Sequence, residues 1–319
     1  MKDYKVDLHQ RYWKYQETQF ANEQMLFDPR YVKPASPPVF IRSNAQKNVI
    51  INPSASEQEK KKLLDLIPKG EFHKWYGSMN SSQALAQSVL GNLFVYNSLH
   101  YLSEIKDDEG LDLFGKAQIS SDNFEMEKKI TYLGEPRHTS LDGYISGDYQ
   151  IAIECKFTEP EVGTCSRPRL ESKVSNYESE HCNGTYSIQR ERKERCSLTE
   201  IGVLYWRYVP SLFKWENNND INPCPLHRNY QLIRNILAAG VKSDGTVSVN
   251  NGHVVLIYDE RNPASKNNGH VHHAYMEVQK ALKEPTMLRK CSWQRIVQHI
   301  REKDILSWLT GNLALKYGL

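Results

Sequence analysis

Residues 139–157 read TSLDGYISGDYQIAIECKF, and this stretch decides the fold that the sequence predicts. Two segments with strand-forming residues, 139–145 and 149–157, flank Ser146-Gly147-Asp148, which is a tight-turn signal. We therefore predict a β-hairpin, with its turn centred near Gly147. We interpret Asp148 as a turn residue, because it lies about 20 Å along an extended strand from Glu154.

The second strand of this hairpin carries a charged pair in an apolar setting. Side chains alternate faces along a strand, so the apolar residues at positions 151, 153, 155 and 157 share one face and belong in the core. Glu154 and Lys156 point to the other face. Burying charges without partners costs several kcal/mol or more, so such a pair requires a reason.

Hairpin geometry suggests that reason. With the turn near Gly147, paired positions sum to about 294, so Asp142 faces Ala152 and is the diagonal neighbour of Glu154, about 7–8 Å away. Two carboxylates at this spacing can share a divalent cation. We expect Mg²⁺, with Mn²⁺ as a substitute, because Mg²⁺ prefers one or two carboxylates, several waters and substrate phosphate.

Two further groups complete the predicted metal site. The main-chain carbonyl of Cys155 is placed as an additional oxygen ligand. The ammonium of Lys156 can stabilise charge in the transition state, or help to orient and deprotonate water. The alternative is an exposed strand that carries a surface salt bridge, which would contribute about 0–1 kcal/mol to stability.

The remaining chain predicts a mixed α/β sheet. Residues 1–70 form a helical N-terminal extension, with helices at about 8–27 and 57–67, the second of them capped by Ser54-Ala55-Ser56, and residues 71–319 form the main domain. The main domain has a helix capped by Ser81-Ser82, strands at 124–132, 139–145 and 149–157, a helix at 229–239 and a strand at 253–258. Residues 201–208 are strand-like or buried, and helical patterns continue from about 274 to the C-terminus.

Composition excludes several classes of protein. The chain has 319 residues, with 41 Lys and Arg against 38 Asp and Glu. It has no apolar run near 18 residues and no apolar signal segment, so we expect a cytoplasmic protein with reduced cysteines. Residues 280–319 carry eight basic and three acidic residues. Such a basic helical tail suits contact with phosphates, and a solvated helix face is the alternative.

Asp142, followed after eleven residues by Glu154-Cys155-Lys156, resembles the motif of PD-(D/E)xK nucleases. The predicted order of helix, three strands, helix and strand resembles the αβββαβ core of that superfamily, over residues 81–258. Proline is replaced by Leu141 before the first acid. The stretches SMNSSQALAQ (78–87), RCSLTEIGVLYW (195–206) and NYQLIRNILAA (229–239) also resemble an uncharacterised bacterial group of restriction-endonuclease-like proteins.

The resemblance implies a Mg²⁺-dependent endonuclease that cuts DNA in restriction or antiviral defence. Asp142 and Glu154 would bind the metal and Lys156 would be the catalytic lysine. One site per chain favours a homodimer for cutting both strands. Two alternatives stay open, namely a non-catalytic nucleic-acid-binding or assembly subunit and a nuclease for RNA or single strands. The sequence specifies neither a recognition sequence nor a partner methyltransferase.

Several further residues are weaker candidates. For an acid from the first helix, that helix offers only Gln83 and Gln87. Glu127 on the first strand could serve instead, but we interpret it as a surface residue. The direction of Gln231 is open. Four cysteines lie after the motif without a CxxC pair, so separate thiols are favoured over a zinc or iron–sulfur site. A metal site is a weaker alternative to a polar loop running into a helix for His270, His272 and His273. Arg167, Arg169 and Lys173 are candidates for phosphate contact. Core positions are favoured over a base-stacking surface for the aromatic residues Tyr205, Trp206, Tyr208 and Trp215.

Overall fold

The computed structural model describes residues 2–115, 117–138, 140–165, 196–215 and 224–319. Its centre is one five-stranded sheet in the order β1-β2-β3-β4-β5, in which β1, β2 and β3 are antiparallel neighbours and β4 and β5 continue parallel to β3. The strands are β1 Phe124–Lys129, β2 Ser140–Ile145, β3 Gln150–Cys155, β4 Gly252–Tyr258 and β5 Leu288–Ser292. The predicted mixed α/β sheet with flanking helices is confirmed.

Helices surround this sheet on both faces. In the described residues they are α1 Lys2–Gln19, α2 Glu57–Leu64, α3 Ser82–Ala86, α4 Asn92–Val95, α5 Ser197–Glu200, α6 Tyr205–Leu212, α7 Pro225–Arg228, α8 Tyr230–Gly240, α9 His270–Ala281, α10 Trp293–Glu302 and α11 Ser307–Tyr317. A π-helical turn, Gln87–Gly91, joins α3 to α4. Two predicted caps are present: Ser56 forms a capping box with Glu59, and Ser81 accepts a hydrogen bond from the backbone N–H of Ala84.

The two faces of the sheet are covered by different helices. Ile151, Ile153 and Cys155 of β3 pack in one core with residues of α1, α3, α10 and α11. Ala152 of β3 and Leu256 of β4 pack in the other core with residues of α6, α8 and α9. The alternation predicted from the sequence therefore places Glu154 on the face that α8 covers.

The hairpin exists, but its predicted register is wrong. Tyr144 pairs with Ala152 and Ile145 pairs with Ile151, so paired positions sum to 296. The loop is centred on Asp148 rather than Gly147. This register pairs two isoleucines that are buried in the same core. As a consequence, Asp142 comes opposite Glu154 rather than diagonal to it.

Two predicted elements beyond the hairpin also differ in the structure. Residues 201–208, predicted to be strand-like or buried, are buried in part but contain no strand, and residues 205–212 form helix α6. The buried Tyr205, Val209 and Leu212 repeat with a helical spacing that becomes visible only when the window extends past residue 208. Strand β5 was predicted as part of a helical region. It is short and contains Arg289 and Lys290, and it forms a strand because β4 supplies a parallel partner.

Much of the basic C-terminal segment is engaged within the chain. The Nζ atom of Lys316 is buried and donates to the backbone oxygen and side-chain Oδ1 of Asn48. Lys303 pairs with Glu104 at 2.5 Å, and Arg295 with Asp108 at 3.3 Å. Across the described residues, no helix combines the length and apolar character needed to cross a bilayer.

Candidate active site

Three carboxylates lie in one row across the first three strands. In β1 and β2, the pairs Met126–Gly143 and Lys128–Leu141 place Glu127 opposite Asp142. In β2 and β3, the pair Gly143–Ile153 places Asp142 opposite Glu154. Side chains on directly opposite positions of neighbouring strands lie about 4.5–5.5 Å apart at Cβ, so the sheet itself brings the three acids together.

Glu154 is held by three side chains. Its carboxylate is 4% exposed, and Oε1 lies 2.7 Å from Nζ of Lys156. Oε2 accepts a hydrogen bond of 2.6 Å from Nδ2 of Asn235 and lies 3.9 Å from Nη2 of Arg234. Burial alone would raise the pKa of Glu154, but the charges of Lys156 and Arg234 outweigh burial and lower the pKa below its ordinary value. Glu154 is therefore a buried carboxylate in its ionised form.

Asp142 is held by the backbone of the neighbouring strand. The N–H of Cys155 donates to Oδ2 of Asp142 at 2.6 Å. Burial, and then the like charges of Glu154 and Glu127, raise the pKa of Asp142 well above its ordinary value. The thiol of Cys155 lies in the opposite core, so Cys155 reaches the site through its main chain only.

Lys156 lies between the acids and helix α8. Its Nζ donates to Oε1 of Gln231 at 2.8 Å in addition to its pairing with Glu154. Burial favours the neutral amine, but the acids Glu154, Glu159 and Asp142 outweigh burial and raise the pKa of Lys156. An ammonium has three N–H donors. Two of them are directed to Glu154 and Gln231, which leaves the third for another partner.

Helix α8 presents Gln231, Arg234 and Asn235 to β3. These positions have the i, i+3, i+4 spacing that places side chains on one helix face. Nε and Nη2 of Arg234 both donate to Oδ1 of Asn235, at 3.0 and 2.8 Å. Sequence reasoning left the direction of Gln231 open and missed the other two residues. The signal available in the sequence was the polar pair Arg234-Asn235 within a helix whose other residues are nearly all apolar.

Glu127 differs from the predicted surface residue. Its side chain is buried, and Nε2 of Gln83 donates to its Oε1 at 2.5 Å. Its backbone has φ of 49°, a left-handed conformation that costs a non-glycine residue about 1–2 kcal/mol. Burial raises the pKa of Glu127, and the nearby charge of Glu154 adds to this effect. The other first-helix candidate, Gln87, bonds instead to Tyr76 and Leu63.

The row of acids opens into a cavity of about 460 Å³. Among the described residues, five carboxyl groups line it, against the two cations Lys156 and Arg234, so its formal charge is negative when all five are ionised. The carboxylates belong to Glu127, Asp142, Glu154, Glu159 and Glu161. A phosphate group would enter this cavity only against repulsion, unless a bound cation compensates the excess of negative charge.

The other candidates do not join this cavity. In the described part of the chain, no group of three or more His, Cys, Asp or Glu side chains has the arrangement of a metal site. This covers the histidine cluster and Cys165, Cys196 and Cys224, and it also means that Glu127 does not complete a three-acid site with Asp142 and Glu154. Tyr205, Trp206 and Tyr208 are buried core residues, and Trp215 stacks on Phe213. Cys182, Arg167, Arg169 and Lys173 lie outside the described residues.

A comparison with protein families gives one match that covers nearly the whole chain. The model described as "Restriction Endonuclease associating with ARP" matches residues 8–318. Comparison with curated proteins and with solved structures gives no match. The matched range includes every strand of the sheet and all residues of the candidate site.

Proposed function

The chain belongs to the family of restriction endonucleases associating with ARP, and on this premise we propose that it is a Mg²⁺-dependent endonuclease that hydrolyses phosphodiester bonds of DNA. The observation that carries the proposal is the convergence of Asp142, Glu154 and Lys156 in one acidic cavity. The same three residues form the PD-(D/E)xK-like pattern, so we also propose membership of that superfamily.

The donor set fits a hard divalent cation. Asp142 and Glu154 supply carboxylate oxygens from opposite positions of two strands, and the main-chain carbonyl of Cys155 is a further oxygen of the kind that Mg²⁺ accepts. A cation between the acids would also offset the excess of five carboxylates over two cations in the cavity. Bound Mg²⁺ would act as a Lewis acid toward a phosphate oxygen and would lower the pKa of a water ligand.

The surrounding residues position the reacting groups. Asn235 and Lys156 each hold one oxygen of Glu154, which fixes the orientation of its carboxylate. Gln231 holds the ammonium of Lys156 in place. The third N–H of Lys156 can then donate to the attacking water or to a non-bridging phosphate oxygen, where negative charge grows during in-line displacement.

The biological context follows from the number of sites. The motif supplies one site per chain, so cleavage of both strands of a duplex would use a homodimer. We propose DNA restriction as the role of this activity, which the family description supports, and antiviral defence as its biological context.

Plasmid cleavage tests this proposal. Supercoiled and linear plasmid, methylated and unmethylated, are incubated with the protein in Mg²⁺, Mn²⁺ or EDTA, with Lys156→Ala in parallel. We expect cleavage in both metals, none in EDTA, and a loss of at least 100-fold in Lys156→Ala. Binding without cleavage would support a non-catalytic subunit instead, and cleavage confined to RNA would reject the DNA substrate.

A further inference from the structure

A second cavity adjoins the candidate active site. It has a volume of about 590 Å³. His73, Ser82, Glu159 and Pro160 line both cavities, so the two lie side by side. The volume lies within the range of about 300–1,000 Å³ that is typical of small-molecule sites. A group bound there would therefore lie next to a phosphate at Asp142 and Glu154.

The second cavity contains an exposed tryptophan on an anchored segment. Trp75 is 50% exposed. Its neighbours Phe72 and Tyr76 stack on each other with a centroid distance of 4.1 Å, and the Tyr76 side chain is buried. The backbone N–H of His73 donates to Oε1 of Gln83 at 2.9 Å. Contacts on both sides of Trp75 thus hold this segment in place, so the folded protein keeps the indole at the surface in an exposed position.

A second ring and several cations accompany this tryptophan. Tyr31 also lines the cavity and meets Trp75 edge to face, with centroids 6.0 Å apart. Lys5 lines the same cavity. Nζ of Lys74 lies 5.3 Å from the centre of the Trp75 ring. The guanidinium of Arg30 lies 6.0 Å from the centre of the Tyr31 ring but pairs with Asp28 at 2.5 Å, so Lys5 and Lys74 supply the positive charge. Aromatic faces among positive charges are the combination that binds single-stranded nucleic acid.

From these observations we propose that Trp75 stacks an unpaired base of the nucleotide beside the scissile phosphate, with the perpendicular ring of Tyr31 at its side; the two rings are the aromatic shelf. The inference rests on the proposed nuclease function and specifies its substrate. Bases inside a duplex are stacked on each other, so only a single strand or a flipped nucleotide can place a base on the shelf. The substrate class is therefore nucleic acid with an unpaired base at the cleavage point.

Equilibrium binding in EDTA tests the shelf without cleavage. Fluorescein-labelled dT 12-mer, an abasic 12-mer with the same phosphates and a blunt duplex are titrated with wild type, Trp75→Ala and Trp75→Phe. Leu315→Ala serves as a control, because Leu315 is another exposed apolar side chain, 61% exposed on α11. Stacking predicts that wild type, Trp75→Phe and Leu315→Ala bind dT at least about tenfold more tightly than the abasic strand, and that Trp75→Ala loses this preference.

Two results would overturn the shelf. One is a wild-type protein that binds the abasic strand as tightly as dT. The other is a preference for dT that survives in Trp75→Ala, which would leave the shelf as a surface for a protein partner. Cleavage of the dT 12-mer by wild type in Mg²⁺ is measured in parallel: a dT preference that depends on Trp75, with no cleavage, would reject the nuclease proposal and leave the shelf, whereas cleavage without a dT preference would reject the shelf alone.

Discussion

Lys156→Met removes one partner of a buried ion pair, and we expect it to destabilise the fold as well as to abolish activity. The side chains of Lys156 and Glu154 are 7% and 4% exposed, and their charged atoms lie 2.7 Å apart. In the variant, Glu154 would remain buried with Asn235 at 2.6 Å and Arg234 at 3.9 Å. Loss of one partner of a buried pair typically costs about 3–5 kcal/mol.

The surroundings of Glu154 narrow the expected loss of unfolding free energy in Lys156→Met. Asn235 and Arg234 still stabilise the carboxylate, which favours the lower end, about 3 kcal/mol. Protonation of Glu154 sets an upper limit. Neutralising a glutamate of ordinary pKa 4.5 at pH 8 costs about 4.8 kcal/mol, since each pH unit is worth about 1.36 kcal/mol. The loss of Lys156 raises the pKa of Glu154 in the folded state, so the deficit should shrink as the pH falls toward 5.

Urea denaturation at pH 8 and pH 5 measures this effect. Lys128→Met is the matched control, because its pair with Glu125 has the same 2.7 Å separation but is exposed, so its loss should cost less than about 1 kcal/mol. The double variant Glu154→Gln/Lys156→Met should recover most of the deficit. Two results would contradict a buried ion pair as the source of this stability: a Lys156→Met variant as stable as Lys128→Met, or a double variant no more stable than Lys156→Met.

Two further predictions concern a buried histidine and a glycine. Burial lowers the pKa of His253 to about 3 in the folded protein. Between pH 6 and pH 4 the histidine is protonated in the unfolded chain but stays neutral in the folded protein. The free energy of unfolding should therefore fall by about 2.5 kcal/mol over this range. His253→Gln keeps a donor for the backbone oxygen of Leu113 and cannot ionise. In urea titrations, the loss of unfolding free energy between pH 6 and pH 4 should therefore be about 2.5 kcal/mol smaller in this variant than in wild type. An equal loss in the two proteins would contradict a buried neutral His253. Gly163→Ala would place a Cβ 2.7 Å from Oε1 of Gln231 at a φ of +79°, so we expect displacement of Gln231 and roughly 10–100-fold lower kcat, with wild-type kcat as the contradicting result.

The hairpin was predictable because its signals are local. The turn at 146–148, the alternation of β3 and the caps at Ser56 and Ser81 each depend on neighbouring residues, and all of them are present in the structure. The register was wrong because it depends on which apolar residues share a core. Ile145 pairs with Ile151 in the fold, whereas the turn residues alone favoured a different centre.

The residues that complete the site could not be predicted from local pattern. Asn235 lies 81 positions from Glu154, and Gln231 lies 75 positions from Lys156. Their approach depends on how α8 crosses β3, which is a tertiary feature. The burial of Glu127 likewise depends on Gln83, which reaches it from another element. The division at residue 70 and the roles of Asp142, Glu154, Cys155 and Lys156 remain predictions.

The N-terminal region contacts both the core and the candidate site. Leu8 and Tyr12 of α1 pack in the same core as residues of the sheet, and the hydroxyl of Tyr4 donates to the backbone oxygen of Phe157, next to Lys156. Lys5 and Tyr31 line the cavity beside the acids. Substitutions in residues 1–31 therefore bear directly on the proposed base shelf as well as on stability.

The central claim is that the acids on β2 and β3 form a metal-dependent hydrolytic site, and cleavage by Asp142→Asn beside Asp148→Asn tests it most directly. Both changes replace an aspartate by its amide within one hairpin, but only Asp142 lines the cavity. In Mg²⁺, the account predicts that Asp142→Asn loses at least about 100-fold of the cleavage rate, whereas Asp148→Asn stays within about twofold of wild type. Equal rates for the two variants, or cleavage by wild type that persists in EDTA, would contradict it.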